Sequence, residues 1–426
     1  MVLTGFFDSL MVAKLGHVEL AASGICNSIF FLISIFPMGV TMAYATIISL
    51  LLGRNKIKIT HLLVRDSFYV TLFLCLITTL VVYWSIYGFG TFDQTKEVEV
   101  LSKPYLTLLM WSLAPMLLFF YSKNICDGYG YTRGGMVITV LALLLNIFLN
   151  WVFIYGNLGF SAYGLNGAGY ATIISRIFLA AAMFTVLFKS KQTPISFAEW
   201  RHSFTNYKQF RFFKQIFKLG FPTGLQYFFE IAAFAVAAMM AGWIGSKELA
   251  AHQLAITLAS VTYMFAGGIS AGSSICVAKA TGNKNKENAL KYGKAGHVLG
   301  VGVMGLFALF FLLFNIPLAQ LFSADADVVK LGANLLILAA LFQLGDGLQA
   351  ISVGLLRGIE DVNIPSFVTF VAYWLVAIPL GYFLLHNTSL PEIFIGVKGI
   401  WIGLAFGLTI SAILLTYRFY YLLRSK

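Results

Sequence analysis

The chain has 426 residues, of which 59% are hydrophobic and only 11% are charged. Soluble domains carry about 25% charged residues, so the composition excludes an ordinary soluble protein and indicates a polytopic membrane protein. The net charge of +12 does not point to a nucleic-acid partner, because the basic residues lie in loops between apolar runs, where they set membrane topology. A lipid bilayer is the expected environment.

Twelve apolar runs are predicted to span the bilayer as helices, because an open sheet edge cannot face lipid. They lie near residues 1–13, 20–52, 62–90, 104–126, 136–156, 165–188, 216–244, 249–281, 295–320, 330–357, 365–386 and 398–422. The first run is short, since it ends before the Lys14–Glu19 loop and a span needs about 20 residues. Either the natural start lies upstream, or the first helix is truncated.

Basic residues divide the loops into two alternating sets, with most of the 29 Lys and Arg residues in one set and only a few in the other. The positive-inside rule predicts that the richer set and both termini are cytoplasmic. The longest and most basic linker, residues 189–214, divides the chain into an N-terminal six-helix lobe (1–188) and a C-terminal six-helix lobe (215–426).

The two lobes repeat one another. A single offset along the chain superposes Gly16 on Gly245 and Glu19 on Glu248. The same offset, or one that differs from it by a few positions, pairs Gly39 with Gly268, Gly53 with Gly282, Gly128 with Gly358, Gly164 with Gly396 and Gly167 with Gly399. Six spans is an even number, so the second lobe inserts in the same sense as the first. Parallel repeats of this kind bind substrate near mid-depth at their interface.

Glu230 lies in the middle of the seventh run, midway between Phe217 and Trp243. At ~1.5 Å per residue, it is roughly 20 Å from either of them. A charged side chain at such depth costs at least ~2.5–3.5 kcal/mol and usually has a function inside the helix bundle. The alternative is a structural carboxyl that stays protonated and hydrogen-bonds to a neighbouring helix.

Two other acids lie inside apolar runs, Asp346 in the tenth and Asp8 in the first. Gln343 and Gln349 flank Asp346, and the glycines on either side of it would let an ion or another backbone come close. The alternative for Asp346 is a polar patch that only distorts and packs its helix. The alternative for Asp8 is a side chain that reaches the membrane interface from its position near the terminus.

Two amides in the fifth run, Asn146 and Asn150, are one helical turn apart and share a helix face. They could coordinate a cation or hold Asp8. Equally, they could serve as hydrogen-bonding contacts between helices.

The sequence contains no enzyme motif in the structural context that the motif requires. Residues 268–272 match G-x-S-x-G, but a nucleophile elbow needs a strand-to-helix turn and a His–acid pair. Inside a long apolar run, small residues at this spacing favour helix contacts instead. The sequence contains no HExxH, no Walker A motif and no full G-x-G-x-x-G.

A resemblance to a known family is carried by the two six-helix halves and by seven stretches: GHVELAASGI, its echo SKELAAHQLA, NICDGYGYTRGGM, NIFLNWVFIYG, GLNGAGYATIISR, FKLGFPTGLQYFFE and LLRGIEDVNIP. Over essentially the whole chain, these resemble the multidrug and toxic compound extrusion (MATE) transporters. The resemblance implies an all-α polytopic membrane protein with a MATE-like fold, in which twelve transmembrane helices form two parallel six-helix repeats.

The resemblance also implies site residues. Glu230 and Asp346 resemble the paired acids of the NorM-like branch, which implies a Na⁺ site at these two carboxylates, with Phe342 and Gln343 beside them. The N-lobe site for a cation, a proton or substrate would comprise Asp8, Asn146, Asn150 and Thr172.

The sequence departs from the family pattern in three places. Most of the lead-in to the first helix is missing. Phe342 stands where NorM-like members often carry a tyrosine, which removes one possible oxygen ligand. Asn150 is an aspartate in some relatives, so the N-lobe site here carries one charge fewer.

The resemblance implies a secondary antiporter that exports amphipathic, often cationic drugs in exchange for Na⁺, H⁺ or both by alternating access. It would be a monomer in the cell (inner) membrane and would need no cofactor beyond its coupling ion. One alternative is a lipid-linked oligosaccharide flippase, but such a cavity is expected to present several arginines, and only Arg176 lies deep within a span, away from its ends. A membrane-embedded enzyme is the other alternative, and the absence of a His–acid or metal constellation argues against it.

Overall fold

The computed structural model describes residues 2–92, 95–206, 210–323, 325–387, 391 and 395–424. Within these ranges the chain forms helices and the connections between them, with no strand. Lipid favours this architecture, because a helix satisfies its backbone hydrogen bonds within a single segment. The predicted all-α polytopic class is confirmed.

Seven α-helices precede the linker among the described residues. They are α1 (Val2–Val12), α2 (His17–Gly53), α3 (Thr60–Tyr87), α4 (Lys96–Trp111), α5 (Leu113–Gly128), α6 (Arg133–Tyr155) and α7 (Leu165–Lys189). A break at Ser112 separates α4 from α5, and the two helices together form one stretch of span length.

Eight further α-helices follow among the described residues, of which α8, α13 and α14 are short. They are α8 (Phe197–Asn206), α9 (Phe213–Ile244), α10 (Ser246–Gly282), α11 (Lys286–Gln320), α12 (Ala326–Gly358), α13 (Asn363–Phe370), α14 (Ile378–His386) and α15 (Val397–Arg424). A π-helical segment, Val371–Ala377, joins α13 to α14, and the three form one stretch of span length.

Eleven stretches among the described residues are long and apolar enough to cross a membrane. They correspond to the second through twelfth predicted runs. The first run forms α1, which has only 11 residues and is shorter than the ~20 that a span needs.

The fourth span begins earlier than its apolar run. The sequence pattern predicts a start near residue 104, whereas α4 begins at Lys96. Its first turns carry charge, and Lys103 pairs with Glu99 one turn away at 2.6 Å. Such pairs stabilise a helix outside the hydrocarbon, which is why hydropathy alone places the boundary too late.

The chain forms two compact units. One comprises Met1–Ile48 and Lys56–Gly224, and the other comprises Ser49–Asn55 and Leu225–Lys426. Two of the boundaries between them fall inside α2 and α9, and the third falls in the loop that follows α2. The division at the 189–214 linker, with lobes 1–188 and 215–426, stays a prediction.

The internal repeat is visible in the helix boundaries. α2 and α10 each contain 37 residues. The offset that superposes Gly16 on Gly245 in the sequence also superposes both the first and the last residues of these two helices. α7 and α15 likewise begin at the offset that relates Gly167 to Gly399.

The repeat extends to close packing. In the first unit, a Cβ on Gly128 would lie 2.9 Å from the Ala45 carbonyl oxygen. In the second unit, a Cβ on Gly358 would lie 2.8 Å from the Ser274 carbonyl oxygen. Ala45 and Ser274 occupy equivalent positions when α2 is superposed on α10. Each glycine is therefore needed for the same close approach of two helices.

The basic linker is packed against α3. The ion pair Arg65–Asp66 of α3 is buried, and each of its two residues forms a hydrogen bond with the backbone of the linker. Arg65 donates to the Ser203 carbonyl at 2.9 Å, and the Phe212 backbone N–H donates to Asp66 at 2.8 Å. Linker residues 207–209 lie outside the described ranges.

Candidate functional site

Two carboxylates in the second unit form the first candidate site. Glu230 lies on α9 and Asp346 on α12, and their exposed fractions are only 6% and 4%. The two groups are close enough to act on one another electrostatically. In the part of the chain that the structure describes, no basic side chain contributes to the electrostatics of either acid. We call Glu230 and Asp346 the carboxylate pair.

Two glutamines of α12, Gln343 and Gln349, flank Asp346 in the sequence and are buried. Gln343 is fully buried, and neither atom of its amide has a hydrogen-bond partner among the described residues. The Gln349 oxygen accepts no hydrogen bond of normal geometry there. Burying an amide without a partner is unfavourable, so these groups suit a site that binds something polar. Oxygen atoms of this kind are the ligands that hard cations prefer.

Two tyrosines that the sequence analysis missed belong to the same cluster. Tyr263 of α10 and Tyr373 of the π-helical segment both lie within electrostatic range of Glu230 and of Asp346. Tyrosine in membrane helices concentrates at the water interface, whereas these two lie well inside their helices. That depth is the sequence signal that could have identified them.

Phe342 lies beside the carboxylate pair in an apolar setting. It is buried, with its ring 6.0 Å from Phe234 and 5.5 Å from Trp401. A phenylalanine offers no oxygen, so at this position the site has an aromatic wall where a tyrosine would add a ligand.

Asp8, Asn146 and Asn150 form the second candidate site, in the first unit. The Asn150 amide donates to Asp8 Oδ1 at 2.5 Å and to Asn146 Oδ1 at 3.3 Å. All three residues are buried. The spacing of one helical turn therefore places both amides toward α1, and we call these three residues the amide cluster. Thr172 of α7 is also buried, and its hydroxyl has no hydrogen-bond partner among the described residues.

Arg176 gives the first unit a positive charge near the amide cluster. Its guanidinium lies within electrostatic range of Asp8, donates to the Ser112 hydroxyl at 2.5 Å and stacks over the Phe30 ring at 4.7 Å. In the sequence, Arg176 is identifiable only as an arginine deep within a span. Asp8 thus has a neutralising partner of its own.

A cavity of about 590 Å³ opens between the end of α11 and the start of α12. Asn315, Lys330 and Asn334 contribute polar groups to it. Neither member of the carboxylate pair lines it, so this cavity is separate from the candidate ion site.

A family model for MatE matches residues 1–152 and 222–383 of the chain. The chain belongs to the MatE family. Curated relatives agree with this assignment. The multidrug resistance protein NorM of Aliivibrio fischeri is 32% identical, over 99% of this chain and 91% of the relative. The NorM of Vibrio cholerae is 30% identical, over 98% and 91%.

Solved structures show the same fold. A MATE crystal structure in complex with MaL6 matches with a TM-score of 0.88 and 21% identity, over 100% of this chain and 92% of that one. A multidrug resistance MATE transporter of the MOP superfamily, in an outward-facing conformation, matches with the same score, identity and coverage. At this identity the structural likeness supports the fold alone.

Membership in the MatE family confirms the predicted family and the predicted MATE-like fold. Members of this family are transporters, so the chain is a multispan transporter of the lipid bilayer and not an enzyme. The bacterial relatives imply an inner-membrane location. The roles of the carboxylate pair and of the amide cluster stay predictions.

Proposed function

We propose that this MatE protein is a secondary multidrug antiporter that exports amphipathic, often cationic organic molecules in exchange for Na⁺. The observation that carries the proposal is the carboxylate pair, which is buried and has no basic neighbour among the described residues. The relatives named multidrug resistance proteins support the substrate class.

The carboxylate pair would couple ion movement to conformational change through its charge. Two neighbouring buried carboxylates cannot both ionise at low cost, because each loses hydration and repels the other. A bound Na⁺ offsets both effects and favours the doubly ionised pair. Protons compete for the same oxygens, so a fall in pH should weaken apparent sodium affinity.

Coupling would follow if the ion and the organic cation favour different arrangements of the transporter. Each Na⁺ that moves inward down a potential of 100 mV supplies about 2.3 kcal/mol, before any concentration gradient is added. Aromatic residues make up 16% of the chain, and their rings attract organic cations through cation–π contacts.

Arg176 favours the carboxylate pair over the amide cluster as the sodium site. Asp8 lies near this guanidinium and accepts a hydrogen bond from Asn150. A cation that bound there would meet a positive charge already in place. We therefore assign Na⁺ to Glu230 and Asp346, and we assign a proton or substrate to the amide cluster.

The flippase alternative has less support. A lipid-linked pyrophosphate needs several cationic groups to hold it, and Arg176 is already engaged with Ser112 and near Asp8. We further propose a monomer with both termini in the cytoplasm and no cofactor beyond the coupling ion. The excess of basic residues in alternate loops supports that orientation.

Ethidium efflux from membrane vesicles, with Na⁺ and H⁺ gradients imposed separately, tests the proposed function. A sodium gradient at equal pH on both sides should drive efflux. Efflux that responds only to a pH gradient would replace sodium with protons as the coupling ion, and no efflux under either gradient would contradict the antiport mechanism.

A further inference from the structure

The span that contains Tyr373 is not a regular α-helix. It changes to π-helical geometry over Val371–Ala377 and returns to α-helix at Ile378. Short π-helical segments are rare, and they occur frequently at functional sites. Tyr373 lies in this segment and is fully buried, so the irregular backbone sets where its side chain points.

The π-helical segment packs against α9, the helix that carries Glu230. The Trp374 indole donates to the Phe229 carbonyl at 3.1 Å, and the rings of Phe229 and Phe370 lie 4.9 Å apart. Phe229 directly precedes Glu230 in the chain, and Trp374 directly follows Tyr373. The contacts made by Phe229 and Trp374 therefore fix the position of the Tyr373 phenol relative to the Glu230 carboxylate.

α15 packs closely against the opposite side of the π-helical segment. A Cβ on Gly407 would lie 2.5 Å from the Ala372 carbonyl oxygen. A Cβ on Gly403 would lie 2.6 Å from the Ala377 carbonyl oxygen. Only glycine permits this approach, so α15 fits closely against both ends of the segment and limits how far it can move.

The Tyr373 hydroxyl lies near the carboxylate pair. It lies within electrostatic range of Glu230 and Asp346 and beside Gln349. It has no hydrogen bond of normal geometry among the described residues. A buried hydroxyl whose contact with a neighbouring amide falls short of a normal hydrogen bond is incompletely satisfied, and it can contact a further group that the site binds. A phenol next to a cation can offer its oxygen lone pairs to the ion and donate its proton to the Gln349 oxygen.

We propose that Tyr373 supplies a phenol oxygen to the cation bound by the carboxylate pair. In this chain Phe342 offers no such oxygen, and Tyr373 reaches the site from a different helix. This assignment rests on the proposed function, because it requires that Glu230 and Asp346 bind Na⁺.

Sodium binding to the purified transporter in lipid nanodiscs tests the assignment, with Tyr373→Phe as the test variant. This change removes one oxygen and keeps the ring. It should weaken sodium affinity by about tenfold, as removal of a group that supports a metal site does. Thermal unfolding in sodium-free buffer separates this role from a structural one, because only a structural role would lower the melting temperature in the absence of Na⁺. The matched control, Tyr382→Phe, alters an exposed tyrosine in the same span and should have no effect.

The outcomes separate this assignment from the proposed function. If the unaltered transporter binds no Na⁺, sodium coupling and this assignment both fail. If it binds Na⁺ and Tyr373→Phe binds Na⁺ equally well, only the assignment of Tyr373 is overturned. Tyr373→Met provides a second oxygen-free variant in case the phenylalanine variant does not fold. Retained sodium affinity in Tyr373→Met would likewise overturn the assignment.

Discussion

At the scale of single residues, the buried acids differ in how they are compensated. Asp8 has a hydrogen bond from Asn150 and a guanidinium within electrostatic range. No basic side chain among the described residues contributes to the electrostatics of Glu230 or Asp346. An uncompensated pair of buried acids is unfavourable unless it is protonated or binds a cation. This difference is the physical basis for placing the coupling ion in the second unit.

Phe342→Tyr tests where that ion lies. The new hydroxyl would add an oxygen one helical turn before Asp346. Apparent sodium affinity should then tighten by about fivefold, the equivalent of ~1 kcal/mol for one neutral polar contact. The measurement is the sodium dependence of ethidium efflux. Unchanged sodium dependence would indicate an ion that sits elsewhere, and Phe234→Tyr in the same ring cluster is the control.

The acids identified from the sequence are those whose burial in lipid has a large energetic cost. A carboxylate in mid-span, such as Glu230 or Asp346, is costly enough in lipid to stand out in any apolar run. The depth of Tyr373 in its apolar run was a weaker signal and was missed, because one buried phenol costs far less than a carboxylate. Its place beside the acids depends on packing between helices, which hydropathy does not encode.

At the scale of helices, the observed helix ends match the ends predicted from hydropathy, except where paired charges extend a helix or its backbone geometry changes. α4 begins at Lys96, well before its predicted start, because its first turns carry paired charges. The π-helical segment Val371–Ala377 was not predictable, since its sequence reads as an ordinary apolar run. The packing of α8 against α3 was also not predicted, although Phe197, Trp200 and Phe204 recur at helical spacing.

The linker provides a test of topology. Arg201 on α8 is exposed, whereas Ser203 is buried against Arg65. In a background that replaces the exposed Cys276, Arg201→Cys should react with an impermeant thiol reagent only after the cells are opened. Ser161→Cys, on a predicted outer loop, should react in intact cells. Labelling of Arg201→Cys from outside intact cells would overturn the cytoplasmic assignment.

A histidine on α11 links three helices of the second unit. His297 bonds to Tyr420 and to Ser352, both at 2.9 Å, and Ser352 bonds to Thr416 at 2.8 Å. Hydrogen bonds between membrane helices contribute about 0.6 kcal/mol each.

His297→Phe should therefore lower stability by about 1 kcal/mol, since it removes both histidine contacts. Thermal unfolding in detergent would measure the loss. His386→Phe, at an exposed helix end, is the matched control. Equal melting temperatures for the two variants would show that the network contributes nothing.

At the scale of the whole molecule, the internal repeat was the strongest sequence signal. Glycines at a nearly constant offset predicted two parallel halves, and α2 and α10 keep one offset at both of their ends. Gly128 and Gly358 were predictable as a pair because close helix packing tolerates no side chain there. The identity of the exported molecule was not predictable, because it depends on the shape of a cavity that no motif specifies.

Sodium-driven ethidium efflux in variants of the carboxylate pair tests the central claim most directly. Glu230→Gln and Asp346→Asn should each reduce efflux by about tenfold or more, because a single remaining acid can stay protonated and needs no cation. The double variant should be little worse than either single variant, since the two residues act as one site. Glu287→Gln, which alters an exposed carboxylate, should leave efflux unchanged. Efflux close to that of the unaltered transporter in either single variant, at equal membrane abundance, would contradict the account and leave the amide cluster as the coupling site.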